Sequence, residues 1–313
     1  MKYTIVYLTL NDEQKKRIQN IEGYDFHFYN KGEHIKQEDL DQVEVIIGQV
    51  PASICNTCKN LKLVLLDCAG VDRYKDLNES ITLLNGDDVY GEIIGEWMTA
   101  YLLAIKKRIP EYLNQQQTHA FTNLGMVDTV MGKKILVVGM GNIGRRFAYR
   151  MHALGAIVDG VTRTKHEKED YVSNMYTMDE LDGILGNYDT IALVLPETKE
   201  TIGYFNEERL LKMDPNTILM NVGRGSAIVT SDLVKVLQQG HLRSVYLDVF
   251  EHEPLPKNHI LWRLDNVLIT PHVAGRLNSP IIYENILNLI EQNLTAYMNN
   301  KPLTHVIDRK LGY

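Results

Sequence analysis

Cysteine is scarce in this chain: three residues in 313, an odd number that cannot close into a disulfide framework. A reducing, intracellular compartment is the simpler setting, and the expected location is the cytoplasm. Long apolar runs are missing too, since no stretch approaches the ~20 residues that a membrane-spanning helix needs. The opening run YTIVYLTL passes at once into Asn11, Asp12 and Glu13 with no small-residue cleavage pattern, so it reads as a first strand and not a signal peptide. Nor is there a basic block. A net charge of −7 without clustered Lys and Arg argues against a nucleic-acid surface, because phosphate binding depends on such clusters to release counterions. Cys55 and Cys58 form one C-x-x-C, but no second ligand pair accompanies it, so no metal site is expected. What is present is ordinary globular composition, 44% hydrophobic and 23% charged, in a length that allows two cores.

The most informative stretch runs from Gly132 to Thr164 and reads as strand, glycine turn, helix, strand. Ile135 to Val138 is a short β-branched run of the kind buried on both faces of a parallel sheet. Gly139, Gly141 and Gly144 then form G-x-G-x-x-G, followed by a helix from Ile143 to Leu154 and a strand from Ala156 to Thr162. The three glycines serve different ends. Gly139 makes a tight turn, Gly141 lets the backbone approach a pyrophosphate, and Gly144 lets the helix pack closely on the strand. The helix start at Asn142 and Ile143 aims its N–H groups and dipole at that pyrophosphate. In this context the motif predicts dinucleotide binding.

Before this unit, strands are expected at Tyr3 to Leu8, Val43 to Ile47, Leu61 to Leu66 and Ile81 to Leu84, alternating with helix-like pieces in a small α/β domain. The loop carrying Ala69, Gly70 and Val71 follows the third of these strands and can expose consecutive backbone N–H groups to a carboxylate; an ordinary turn fits the same residues. Apolar residues at helical spacing predict a helix from Ile93 to Ile109 that stops at Pro110, and Gln115 to Met131 reads as irregular. Beyond the glycine turn, strands are expected near Tyr188 to Leu195, Thr217 to Val222, Ser244 to Val249 and Val267 to Thr270, giving a parallel, doubly wound sheet. Ser279 to Asn299 reads as a long helix, and the tail after it returns to the first domain. The expected division is therefore 1–91, 92–275 and 276–313, with the middle segment inserted into the other two.

Ligands of such sheets sit outside the carboxyl ends of the strands. Those ends carry Gly223, Arg224 and Gly225, then Glu251 and Glu253, then Pro271, His272 and Gly275. An arginine, an acid and a histidine thus fall at successive strand ends. A reduction at a bound dinucleotide requires a hydride and a proton, and a nicotinamide supplies only the first. His272 suits the second; Glu253, if paired with it, would orient the ring and favour its charged form. Arg224 has the planar fork to hold a carboxylate and polarise a carbonyl.

VVGMGNIG, LPETKET, NVGRGS, LDVFEHEPLP and TPHVAG, in this order, resemble the D-isomer-specific 2-hydroxyacid dehydrogenases, most nearly the glyoxylate/hydroxypyruvate reductase branch, over nearly the whole chain. The resemblance implies a doubly wound parallel Rossmann sheet inserted into a smaller flavodoxin-like α/β domain. It implies Arg224, Glu253 and His272 as catalytic residues, with Ala69, Gly70 and Val71 binding the substrate carboxylate beside Arg224 and His272. Cofactor contacts would come from Gly139, Gly141, Asn142, Ile143, Gly144, Leu195, Pro196, Thr201, Val222, Gly223, Asp248 and Gly275. Asp248 is also the family's supporting acid, and a homodimer formed through the helix near Trp97 and the Gln115 to Met131 segment is implied.

The cofactor expectation is NADP(H) in preference to NAD(H). About 20 residues beyond Gly139 lies Asp159, which would favour NAD, but the β-like run continues through Val161 and leaves Asp159 inside the strand. In the family's pattern the discriminating position is Thr162, followed by Arg163, Thr164 and Lys165, a hydroxyl and two cations where an acid would repel a 2′-phosphate. The substrate is expected to be a small 2-keto or 2-hydroxy acid. A nucleotide-sensing, corepressor-like interaction protein and a formate- or phosphite-type dehydrogenase are the alternatives on the same fold.

Overall fold

The computed structural model describes residues 1–276 and 279–312. Residues 277, 278 and 313, which belong to the last expected segment, lie outside the described residues. The chain divides into two units: Gly91–Arg276 form one, and Met1–Tyr90 with the chain after Arg276 form the other. Each holds one sheet, and every strand pairing in both sheets is parallel.

The smaller unit contains β1 (Lys2–Tyr7), α1 (Asp12–Gln19), β2 (Tyr24–Tyr29), α2 (Gln37–Gln42), β3 (Val45–Gly48), α3 (Ala52–Cys55), β4 (Leu63–Leu65) and β5 (Thr82–Leu84). Its strand order is β2-β1-β3-β4-β5, the flavodoxin-like arrangement. β2 is absent from the sequence-based expectation, for a physical reason. It is an edge strand, YDFHFY, with only Tyr24 fully buried, so it lacks the continuous apolar run that marks an interior strand. Cys55 and Cys58 pack in this unit's core with Ile46, Val64 and Leu66. Burial pushes the Cys55 thiol up to about 12 and raises that of Cys58, so both behave as small apolar groups.

α4 (Asp87–Lys106) and α5 (Ile109–Gln117) follow. α4 begins six residues before the expected start at Ile93, and Pro110 opens a new helix instead of only closing the old one. Arg108, in the left-handed region at φ 56°, breaks the path, and proline at the first turn of α5 forfeits no hydrogen bond. The irregular segment therefore starts after Gln117 and not at Gln115.

The larger unit continues with β6 (Lys134–Val138), α6 (Asn142–Ala153), β7 (Ile157–Thr162), β8 (Asn174–Thr177), β9 (Thr190–Leu193), α7 (Glu207–Leu211), β10 (Ile218–Asn221), α8 (Thr230–Gln238), β11 (Ser244–Leu247) and β12 (Val267–Ile269). Its order is β12-β11-β10-β9-β6-β7-β8, a Rossmann sheet with one added strand. β8, another edge strand with no buried residue, also escapes sequence reading. The last helix, α9 (Pro280–Met298), belongs to the smaller unit, where Arg17 of α1 bonds Glu284 and Glu291. No helix among the described residues is long and apolar enough to cross a membrane.

Register places the chemistry. Val138 pairs with Leu193, Leu193 with Asn221, Asn221 with Leu247 and Leu247 with Ile269, so the loops after β6, β9, β10, β11 and β12 leave the sheet along one edge. One face is covered by α8, whose Leu233, Val236 and Leu237 join Leu136, Val138, Leu193 and Leu247 in a buried cluster. Elsewhere in the unit α4 meets α6 through glycine. A Cβ at Gly91 would fall 1.5 Å from Asn142 Oδ1, and one at Gly95 would fall 3.1 Å from the Arg146 Cβ. Glu92 then bonds Arg146 at 2.9 Å and Arg150 at 2.5 Å.

Asp128 joins α4 to the residues that precede β6 and β11. Its Oδ2 accepts from Lys106 Nζ and Arg243 Nη1, both at 3.0 Å, while Lys133 Nζ lies 3.6 Å from Oδ1. Burial alone would raise this carboxyl; the Lys106 hydrogen bond, the Thr129 N–H and the surrounding cations hold it well below the usual carboxylate range. The Lys106 ammonium, in turn, is lowered by burial against the pull of Asp128. Asp128→Ala is expected to destabilise the protein by about 3 kcal/mol, because it strands the buried Lys106 charge. A depressed carboxylate stabilises above its unfolded value of about 4, and that stability is lost as pH falls through the lower folded value. The variant should therefore show a shallower acid limb than wild type in urea melts across pH, and equal limbs would show that Asp128 is not the linked group.

Candidate active site

At the end of β6 the chain turns at Gly139, whose φ of 105° suits glycine, and a Cβ there would lie 2.3 Å from the Val194 carbonyl oxygen. Gly144 has no more room: its Cβ would fall 2.0 Å from the Gly139 oxygen and 3.2 Å from Val137 Cγ1. Gly141 differs, because nothing lies within 4 Å of its would-be Cβ. It stands at the N-cap of α6 and, being glycine, supplies no side-chain hydrogen bond to the helix's first turn. An open cradle at the start of a 12-residue helix fits a pyrophosphate.

Asp159 sits in the interior of β7 and is 6% exposed. Both its oxygens are engaged: Oδ1 accepts from the Asn174 N–H at 2.9 Å and Nδ2 at 3.0 Å, and Oδ2 from the Tyr188 hydroxyl at 2.7 Å. The tip of the strand is Thr162, whose hydroxyl donates to the Thr164 carbonyl at 2.7 Å, and Arg163, Thr164 and Lys165 beyond it are exposed.

After β9, Leu195 is buried and the following loop is closed by Thr201, whose hydroxyl donates to the Pro196 carbonyl at 2.6 Å and accepts from the Thr198 N–H at 2.8 Å. The turn after β10 is folded by Asn221, which accepts from the Gly223 N–H at 3.1 Å and donates to the Arg224 carbonyl at 3.0 Å. Two close approaches set this turn against its neighbours. A Cβ on Gly223 would meet Leu195 N at 2.5 Å, and one on Gly225 would meet the Phe250 carbonyl carbon at 1.9 Å. Val222 is buried, whereas Arg224 is half-buried and donates from Nη1 to the Gly223 carbonyl at 2.9 Å.

The two acids after β11 part company. Glu251 accepts the first N–H of α8, from Thr230, at 3.1 Å. Glu253 accepts from the Phe250 N–H at 3.0 Å through Oε1 and meets His272 Nδ1 at 2.7 Å through Oε2. A carboxylate only accepts, so Nδ1 carries a proton and Nε2 is the nitrogen left for a reacting group. His272 itself is held at φ 53°, in the left-handed region, with its N–H on the Asp248 carbonyl at 2.8 Å. The Asp248 carboxylate, 2% exposed, accepts from Thr270 Oγ1 at 2.6 Å and from the Val273 and Ala274 N–H groups, both at 3.0 Å. It faces the loop that carries His272 and leads to Gly275. The family motif implies a supporting acid at Asp248, but its partners are not readable from local spacing, because they come from more than twenty residues away.

In the smaller unit the loop with Ala69, Gly70 and Val71 is shaped by its own neighbours. Asn85 Nδ2 donates to the Ala69 carbonyl at 2.8 Å, Cys68 Sγ to the Gly70 carbonyl at 3.3 Å, and the Tyr90 hydroxyl bonds the Asp67 carbonyl. Among the described residues no group of three or more His, Cys, Asp or Glu could hold a metal ion.

Residues 99–274 match the model of the D-isomer specific 2-hydroxyacid dehydrogenase NAD binding domain, more than half of the chain. The chain belongs to the D-isomer specific 2-hydroxyacid dehydrogenase family. A glyoxylate reductase of Thermofilum pendens is 31% identical over 247 residues, 74% of this chain and 70% of that one. Among solved structures, an NADPH- and MES-bound D-isomer specific 2-hydroxyacid dehydrogenase from Xanthobacter autotrophicus matches with TM-score 0.86 at 26% identity, covering 99% of each chain. An NADPH-dependent glyoxylate/hydroxypyruvate reductase from Sinorhizobium meliloti matches with TM-score 0.85 at 26% identity, again over 99% of each. This 2-hydroxyacid dehydrogenase family member carries an NAD(P)-binding domain on its larger sheet.

The two glycines offer a clean contrast. Gly141→Ala, at φ −74° and facing open space, is expected to keep wild-type thermal stability while weakening the NAD(P) cofactor at least about tenfold in a fluorescence titration. Gly144→Ala should lower the melting temperature by several degrees, since a methyl group against the Gly139 carbonyl forces the helix off the strand. The reverse ranking of the two in thermal melts would show that the turn is not built this way.

Proposed function

We propose that the protein reduces a small 2-keto acid of the glyoxylate or hydroxypyruvate type to the D-2-hydroxy acid, using NADPH in preference to NADH. The observation that carries this reading is the 2.7 Å contact between His272 Nδ1 and Glu253, which leaves Nε2 as the ring nitrogen that can exchange a proton with a substrate. Bound NADPH supplies the hydride for the carbonyl carbon. Glu253 fixes the ring and its protonated Nδ1, and His272 delivers the proton to the carbonyl oxygen. Arg224, in the neighbouring strand-end loop, holds the substrate carboxylate and draws charge onto that oxygen. The reductase names of the relatives at about 30% identity support the substrate class.

Cofactor preference rests on the strand tip. Both oxygens of Asp159 are already engaged inside the sheet, and the tip offers Thr162 followed by the exposed Arg163 and Lys165, which suit a 2′-phosphate. The Xanthobacter and Sinorhizobium structures were solved with NADPH and NADP, in keeping with this.

Steady-state kinetics on glyoxylate, hydroxypyruvate, pyruvate and bulkier keto acids with both cofactors tests the proposal. NADPH should give the higher kcat/KM. His272→Ala should lower turnover by about 10²- to 10⁴-fold with the cofactor Kd little changed, and Arg224→Lys should lose most activity, because lysine lacks the two-pronged fork. No turnover of any keto acid by wild type would sink the proposal and leave the corepressor-like and formate or phosphite readings, the last decided by adding those two anions to the same plate.

We also propose a homodimer. Phe121, Met126, Met131 and Leu113 are exposed on α5 and the segment after it, apolar side chains that a second subunit could cover. Light scattering should return about twice the 35.8 kDa chain mass at micromolar concentration; a single chain's mass would refute the dimer.

A further inference from the structure

Behind the His272 loop runs a chain of hydrogen bonds that the proposed chemistry does not use. Trp97 Nε1, on α4, lies 2.6 Å from the Tyr246 hydroxyl. That hydroxyl lies 2.8 Å from Thr270 Oγ1, which donates to Asp248 Oδ1 at 2.6 Å. Tyr246 is fully buried in β11 and its ring stacks on Tyr101, one turn along α4 from Trp97, with centroids 4.2 Å apart.

The two ends set the direction of every proton. An indole N–H can only donate and a carboxylate can only accept. Tyr246 therefore receives from Trp97 and gives its own proton to Thr270, and Thr270 gives its proton to Asp248. Bonds that all point one way polarise one another, and this chain ends on a buried anion. From that anion the order passes to the loop. The same carboxylate takes the Val273 and Ala274 N–H groups, and the Asp248 carbonyl takes the His272 N–H. His272 is thereby clamped from both sides in a left-handed backbone, which a residue other than glycine occupies at a cost unless its surroundings hold it there.

We propose that Trp97, Tyr246 and Thr270 are positioning residues of the reaction: through Asp248 they hold His272 where its imidazole meets Glu253 and its Nε2 faces the reacting oxygen. The proposal rests on the reductase reading for its kinetic consequence, but not for its structural one, so the two can fail separately.

Thr270→Val keeps the shape and removes the donor, and Thr270→Ser keeps the donor. In Thr270→Val, kcat on the best keto acid should fall about 10- to 100-fold, the worth of one hydrogen bond to a charged group when it is felt fully at the reacting atoms. KM for NADPH should stay within about twofold, and Thr270→Ser should restore most of kcat. Tyr246→Phe, which keeps the ring stack, should lower kcat less, and adding it to Thr270→Val should cost almost nothing further, because the two act in series. An activity-free measurement runs alongside: amide hydrogen exchange at Val273 and Ala274 should quicken in Thr270→Val and match wild type in Thr270→Ser. Unchanged exchange in Thr270→Val would overturn the clamp. Faster exchange with wild-type kcat would overturn the positioning role. If wild type itself reduces no keto acid, the reaction assignment fails while exchange still decides whether the chain orders the loop.

Discussion

Parallel pairing in register is the constraint on which the larger unit depends. Val138, Leu193, Asn221, Leu247 and Ile269 are tied across one sheet, and their backbone groups are spent on that ladder. The loops open to a ligand are then the residues just past them. The glycine turn, the Arg224 turn, Glu253 and His272 all lie within six residues of a strand end because only there does the backbone leave the ladder on the same edge. Close approach keeps those turns in place: Gly139 against Val194, Gly223 against Leu195, Gly225 against Phe250.

Three aspartates show how one residue type is used in three ways. Asp159 is satisfied by an amide, a backbone N–H and a phenol, and stiffens the edge of the sheet. Asp128 faces three cations and offsets the burial of Lys106. Asp248 takes neutral donors, a hydroxyl and two backbone N–H groups from one loop. A buried carboxylate needs partners, and what those partners are attached to decides what the carboxylate organises. Only in the third case is the organised element the one that bears His272.

Much of this is legible without coordinates. The interior strands announce themselves because a strand buried on both faces needs an unbroken apolar run, and the glycine motif because three positions tolerate no side chain or face a ligand. The family motifs then name Arg224, Glu253 and His272. The edge strands Tyr24–Tyr29 and Asn174–Thr177 are not legible, since a strand with one free edge and little burial carries no such run. The start of α4 at Asp87 is hidden as well, behind acidic residues that suit a first helical turn but give no apolar period.

The sequence by itself determined the dinucleotide turn, the alternation of strand and helix and the residue types at the strand ends, because these follow from local sterics and periodicity. Tertiary structure alone decided partnership. It gave Glu253 its bond to His272 and Glu251 its bond to α8, two acids on either side of His252 that only the family motif, and no spacing rule, tells apart in sequence. It also joined Trp97 to Thr270, far apart in the chain, through a tyrosine that reads in sequence as one more buried aromatic. Hydrogen bonds between distant side chains depend on ångström-scale placement by the sheet, and no local pattern in a chain encodes that.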